Sequence, residues 1–183
     1  SSGLWQSVFL ESVYDNYLTS LKLTPNYDEK TLEILATSSN NEQIILEIDN
    51  DGKNQKHTLN SGEKYIVDVK DFKEWSPTSP ELYPITLTTG KDKVESYFGI
   101  RKFSKELING KYYFTLNNKP FFYNGILDQG YFEGSYTPKS NKDFYDELKK
   151  VKELGFNMLR KHIKVEPMLW YYYCDVLGIT VWQ

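Results

Sequence analysis

Residues 140–182 read SNKDFYDELKKVKELGFNMLRKHIKVEPMLWYYYCDVLGITVW, and the alternation of periods along this stretch decides the fold. Phe144, Leu148, Val151 and Leu154 recur at i, i+4, i+7 and i+10, one stripe of an amphipathic helix. Ser140 stands three residues before Asp143, as in a capping box, and Gly155 suits the left-handed position that ends such a helix. Phe156–Arg160 then reads as short and extended. Pro167 fits the first position of a second helix, Gly178 closes it, and Ile179–Trp182 is a further strand. With Gly125–Leu127 ahead of residue 140, the order is strand, helix, strand, helix, strand, the grammar of parallel β/α units. Three parallel strands do not close a barrel, which needs eight. A doubly wound sheet also needs more strands, and Gly125–Gly134 is not the glycine-rich phosphate loop such a sheet carries. The expectation is therefore a truncated parallel array whose edge at Ile179–Gln183 lacks a partner and promotes self-association or disorder.

Upstream of Phe103 the chain has a different period. Leu4, Gln6, Val8 and Leu10 alternate with Trp5, Ser7, Phe9 and Glu11 as a first strand. Further runs follow at Tyr17–Leu23, Thr31–Thr37, Gln43–Asp49, Lys64–Val69, Leu82–Thr88 and Lys93–Phe103, with Ile44, Leu46 and Ile48 sharing a face. Asn50-Asp51-Gly52, Asn60-Ser61-Gly62, Trp75-Ser76-Pro77 and Thr89-Gly90-Lys91 break the runs. Short strands separated by turn chemistry indicate an antiparallel sandwich. Tyr112–Leu116 and Pro120–Tyr123, flanking Asn117-Asn118-Lys119, read as a hairpin.

Composition narrows the function. Net charge is −3 with basic residues dispersed, against nucleic acid or an anionic membrane as partner, and no stretch approaches the roughly 18 apolar residues of a membrane span. One cysteine, Cys174, excludes an intrachain disulfide and reads as a buried thiol. There is no H-E-x-x-H, G-x-S-x-G, P-loop or C-x-x-C, and His57 has no second ligand nearby, so neither metal nor cofactor is expected.

Particular segments are recognisable. Gly3-Leu4-Trp5-Gln6-Ser7-Val8-Phe9-Leu10-Glu11, Trp75-Ser76-Pro77 with Pro80 and Leu82-Tyr83, and Gly99-Ile100-Arg101 form one group. Asn117-Asn118-Lys119-Pro120 with Asn124-Gly125, Leu154-Gly155-Phe156-Asn157-Met158-Leu159-Arg160, and Asp175 with Leu177-Gly178-Ile179 and Val181-Trp182 form another. In this order they resemble segments of family 2 glycoside hydrolases, which include β-galactosidases, β-glucuronidases and β-mannosidases. The resemblance implies a mixed fold: an immunoglobulin-like antiparallel β-sandwich followed by a truncated (β/α) segment of a TIM barrel. Residues 1–12 would end a sugar-binding jelly roll, 13–103 form the sandwich, and 104–183 open the barrel. It also implies a retaining mechanism with two glutamates about 5–5.5 Å apart, after the fourth strand and near the seventh. Neither falls within three strands, so the chain itself is expected to be non-catalytic. Its partners would be a β-linked carbohydrate and the rest of its own chain, with a homo-oligomer left open. The competing reading is a stand-alone carbohydrate-binding or adhesive module, which has no use for the barrel-entry segments.

A TIM barrel places function at the C-terminal ends of its strands, which selects Asp128 and Gln129, Arg160 with Lys161 and His162, and Trp182. Arg160 stands where the family carries a pocket arginine, or else ties strand ends together. His162 lies two residues after Arg160, whereas the β-galactosidase pattern R-x-S-H spaces them by three, and Asp128-Gln129 replaces N-R-H-[ED]. Asp128 is read as a sugar contact or a loop cap, and Trp182 as pocket floor or core. Lys161 is read as solvated or paired. Tyr131, Phe132 and Tyr136 would wall the cleft or pack on the sandwich. Trp5, Trp75 and Trp170–Tyr173 read as packing, and Glu147 and Glu153 as solvated helix charges.

Overall fold

The computed structural model describes residues 8–133 and 140–183. Seven strands form a sandwich: β1 (Leu18–Asn26), β2 (Thr31–Ser38), β3 (Ile44–Ile48), β4 (Gln55–Leu59), β5 (Lys64–Asp68), β6 (Tyr83–Thr89) and β7 (Asp92–Phe98). They pair antiparallel as two sheets, β1-β2-β5 and β4-β3-β6-β7. Alternation explains the packing: Leu32, Ile34 and Ala36 of β2 point inward against Ile44, Leu46 and Ile48 of β3 and Ile85 and Leu87 of β6, all buried. Because β2 to β3, β4 to β5 and β5 to β6 each cross between the sheets, the connections are those of a Greek-key sandwich.

A three-stranded antiparallel ribbon follows, from β8 (Phe103–Ile108), β9 (Lys111–Leu116) and β10 (Lys119–Pro120). Both of its turns have positive φ at their two central residues, Asn109-Gly110 (51° and 77°) and Asn117-Asn118 (53° and 63°). Two-residue loops of this form match the twist of paired strands. Asn117 is buried and bridges neighbours: its amide donates to the Trp75 carbonyl at 3.0 Å while its side-chain oxygen accepts from the Lys102 amide at 3.0 Å.

The last unit alternates β11 (Gly125–Asp128), α1 (Asn141–Glu153), β12 (Met158–Lys161), α2 (Met168–Leu177) and β13 (Thr180–Trp182). Its strands are parallel in the order β11-β12-β13, joined by the two helices as expected. Phe144, Leu148 and Val151 of α1 pack with Leu159, Trp170, Cys174 and Ile179 in a second core. The Ser140 amide donates to Asp143 Oδ2 at 2.8 Å, one arm of the predicted capping box.

Several expectations change. Of the first predicted strand only 8–11 lie among the described residues, and Val8, Phe9 and Leu10 are exposed and unpaired. Lys93–Phe103 is not one strand: it breaks between β7 and β8 where Ile100 bridges to Glu74. Gln55–Leu59, given no strand in the sequence reading, forms β4, and His57 on it sets its ring against Tyr65. The second hairpin arm shrinks to Lys119–Pro120, and Pro167 is the N-cap of α2 rather than its first residue.

The sandwich and the parallel unit meet at Asp175 of α2. Its carboxylate accepts from Arg101 at 2.5 Å and from the Tyr97 hydroxyl at 3.0 Å, and its carbonyl accepts from the Trp75 indole at 2.8 Å. The Arg101 guanidinium lies 4.4 Å above the buried Trp75 ring. Beside this junction Lys152 donates to the carbonyls of Pro77 and Gly178, at 2.6 and 2.8 Å.

Candidate functional site

Pleating of the parallel sheet separates two sets of side chains at its C-terminal end. In register across the strands stand Leu127, Arg160 and Trp182, and all three are exposed. One residue on, Asp128 pairs with Lys161, and these point back toward the helices. The first set lies on an open face. The second builds a buried charge cluster behind it.

Residues 160–163 (Arg160, Lys161, His162 and Ile163) and 181–183 (Val181, Trp182 and Gln183) line a hollow of about 820 Å³ at the open face, although the Lys161 side chain itself is fully buried. Arg160 makes no ion pair among the described residues, so the alternative role of tying strand ends together finds no partner there. Trp182 has one side against Phe114 and Tyr123, with ring centroids at 5.5 and 5.6 Å, yet remains 42% exposed. It is thus both packed and presented. Gln183 accepts from the Tyr171 hydroxyl at 2.5 Å and donates to the Lys164 carbonyl. Ile163, with φ of 47°, turns the chain sharply after β12. A β-branched residue seldom adopts this conformation, and such strain concentrates at functional loops.

Behind the face, the Lys161 ammonium is fully buried, 2.7 Å from Asp128 Oδ2 and 2.7 Å from Glu166 Oε1. It also lies 4.6 Å from the Trp170 ring. Lys164 reaches the same Glu166 oxygen at 3.1 Å and donates to the Gly130 carbonyl at 2.8 Å. The other Asp128 oxygen accepts the Gly130 amide at 2.7 Å. Both oxygens of Asp128 are therefore engaged within the protein, and its side chain braces the loop after β11.

Glu147 corrects the reading of α1. It is not a solvated charge: its Oε2 is buried without a hydrogen-bond partner among the described residues. Burial, and after it the charge of Asp128, pushes its carboxyl up to about 7. Glu153 does remain on the surface, 3.8 Å from Lys150. Phe132 packs edge-on against Phe144 of α1 instead of the sandwich, while Tyr131 is exposed. Trp5 and Tyr136 lie outside the described residues. Burial raises the Cys174 thiol far above its ordinary value, consistent with an inert core residue. No cluster of His, Cys, Asp and Glu suited to a metal occurs among the described residues.

The sequence reading drew Asp128 and Gln129 from the end of β11, Arg160 and His162 from the end of β12 and Trp182 from β13; Arg160, His162 and Trp182 border one hollow, Gln129 lies 3.5 Å from His162, and Asp128 turns to the helix side. It missed the Glu166 and Glu147 contributions, because neither residue is near Lys161 in a way that helix or strand spacing reveals.

Comparison with known proteins follows from this geometry. Residues 14–101 match the family model described as Glycosyl hydrolases family 2. A Formosa agariphila protein provisionally named a beta-glucuronidase is 26% identical over 200 residues, covering 99% of this chain and 24% of that protein. A Lactococcus lactis beta-galactosidase is 27% identical, covering 98% of this chain and 19% of its own length. The chain thus spans about a quarter or less of these curated relatives. In fold, it matches a Faecalibacterium prausnitzii beta-glucuronidase with a TM-score of 0.77 at 19% identity, over 91% of this chain and 27% of the other.

Proposed function

We propose that this chain, whose residues 14–101 match the model of Glycosyl hydrolases family 2, is a non-catalytic part of a retaining β-glycoside hydrolase. Residues 13–103 act as a structural brace, and residues 104–183 form the opening strands of a TIM-type barrel, with residues 1–12 ending a preceding jelly roll. The observation that carries this reading is the junction at Asp175. There a residue of the parallel unit receives Trp75, Tyr97 and Arg101 of the sandwich and its closing segment. A sandwich built as an independent binding module needs no such anchorage in a neighbouring helix.

The substrate surface is the open strand-end face. Arg160, exposed and without an ion-pair partner among the described residues, supplies charge-assisted hydrogen bonds to sugar oxygens or to an acidic group that completes the site. Trp182 offers a ring edge beside it, and Gln129 and His162 offer polar contacts. Asp128 acts from behind as the loop's anchor. Acid/base and nucleophile glutamates come from other strands of the complete enzyme.

The experiment is direct. The purified 183-residue chain should leave 4-nitrophenyl β-galactoside, β-glucuronide and β-mannoside intact. The full-length protein that contains it should hydrolyse one of them. Turnover by the short chain that survives repurification would overturn the placement of the catalytic groups outside it. No turnover of any β-glycoside by the full-length protein would overturn the glycosidase reading.

A further inference from the structure

We infer that Lys161, held between Asp128 and Glu166, is a positioning residue that presents Gln129 and His162 as one hydrogen-bonding unit for a vicinal diol. The diol part of this inference rests on the sugar-binding reading above.

Lys161 cannot touch a ligand on the open face, because its side chain is fully buried on the helix side of β12. Burying an ammonium is costly unless partners compensate it, and here two carboxylates do so, Asp128 from the end of β11 and Glu166 from the segment between β12 and α2. The consequence is a cross-link between the segment 128–130 and the segment 161–166. Backbone bonds reinforce it: the His162 amide donates to the Asp128 carbonyl at 2.8 Å, and the Gly130 carbonyl accepts from Lys164.

Gly130 shows how tightly the two segments close. Its φ is 66°, and a Cβ there would stand 2.3 Å from Glu166 Oε1 and 2.8 Å from the Lys161 ammonium. Only glycine lets this backbone enter the charge cluster.

The clamped segments expose Ile163 and Val165 as apolar side chains, and Gln129 and His162 are the polar pair that meets across them. Gln129 Nε2 lies 3.5 Å from His162 Nδ1, at the long limit of a hydrogen bond. A contact that long does not hold two loops, so the clamp beneath it sets the spacing. With the carboxamide donating to Nδ1, the neutral imidazole carries its proton on Nε2. The pair then shows one N–H donor and one amide acceptor, Gln129 Oε1, side by side. Adjacent hydroxyls of a pyranose ring, one accepting and one donating, complement that pattern.

The test uses the 183-residue chain and nuclear magnetic resonance, where only two histidines contribute ring signals. In wild type, a nuclear Overhauser contact links the Gln129 carboxamide to the His162 ring, and the His162 amide is protected from exchange. Titration with methyl β-D-galactopyranoside or methyl β-D-glucuronide shifts both side chains. Lys161→Met, and separately Glu166→Gln, should abolish the contact and the protection while the sandwich resonances stay in place. They should also weaken sugar binding by about tenfold or more. Glu166→Gln preserves shape and so decides the matter if Lys161→Met does not fold. Retention of the contact and the protection in a folded variant overturns the positioning role. Loss of both in the variants, with no sugar-induced shift in wild type, upholds the clamp and overturns the sugar reading.

Discussion

Arg101 and Asp175 form an ion pair at 2.5 Å across 74 positions of sequence, with the Arg101 guanidinium 4.4 Å from the Trp75 ring centroid. The pair is mostly buried, with 28% and 17% of the two side chains exposed, so neither charge is freely solvated if the other is removed. Asp175→Ala also strips the Tyr97 hydroxyl of its acceptor. The expected cost is about 2 kcal/mol, below that of a fully buried pair because solvent reaches this one. Urea unfolding followed by tryptophan fluorescence should resolve into two transitions, as the sandwich and the parallel unit lose their coupling. A single unshifted transition would contradict a bracing role for Asp175.

Gly178 offers a sharper test of the same junction. Its φ is 70°, and a Cβ would lie 2.5 Å from the Pro77 carbonyl oxygen. Gly178→Ala therefore combines a left-handed backbone penalty of about 1 kcal/mol with a clash that displaces α2 from the sandwich. Gly52, at φ 88° with open space around it, isolates the backbone penalty alone. In thermal unfolding Gly178→Ala should lose clearly more stability than Gly52→Ala. Equal losses would mean that the contact with Pro77 yields without cost.

How much of this was legible in the sequence depended on the range of the interaction. The alternation in Thr31–Ser38 and Ile44–Ile48 is a local property, and those strands fell where the pattern put them. Strand β4 escaped because Gln55, Lys56, His57 and Thr58 are polar on an edge, leaving only Leu59 fully buried to signal it. Strand β8 also went unassigned, although Asn109-Gly110 between it and β9 is a strong hairpin dipeptide. Glu147 failed for another reason. Its helix position predicts solvent, and it is burial in the tertiary fold, then the charge of Asp128, that raises its carboxyl, with Lys161 opposing. The same long-range cluster turned Asp128 from a candidate contact into an anchor.

Glu147 makes stability depend on pH in a definite sense. Its carboxyl is raised in the folded protein from 4.5 to about 7, so the folded state binds more protons than the unfolded state between those values. Stability is then complete below the ordinary carboxyl range and is lost as pH climbs through about 7. The loss amounts to roughly 1–2 kcal/mol once screening by nearby solvent is included. Glu147→Gln keeps the shape and cannot ionise. Melting temperatures of the variant and wild type should coincide below the ordinary carboxyl range, separate between pH 4.5 and about 7 with the variant higher, and keep a constant gap above that. Parallel curves across that span would show that Glu147 is already charged and compensated.

Arg160 separates function from folding more cleanly than any other residue of the open face. It is exposed and has no ion-pair partner among the described residues, while its neighbour Trp182 is fixed by Phe114 and Tyr123. Removing the guanidinium exposes no cavity and leaves no buried charge unpaired. Arg160→Ala should therefore unfold within about 0.5 kcal/mol of wild type. In the full-length protein, however, loss of a charge-assisted hydrogen bond at the substrate should lower kcat/KM by about ten- to a hundredfold, the equivalent of roughly 1.5–3 kcal/mol. Lys at this position restores charge but not the planar fork, so Arg160→Lys should recover only part of the activity. An Arg160→Ala enzyme with unchanged kcat/KM would remove the arginine from the substrate site, and an unstable one would return it to a structural role.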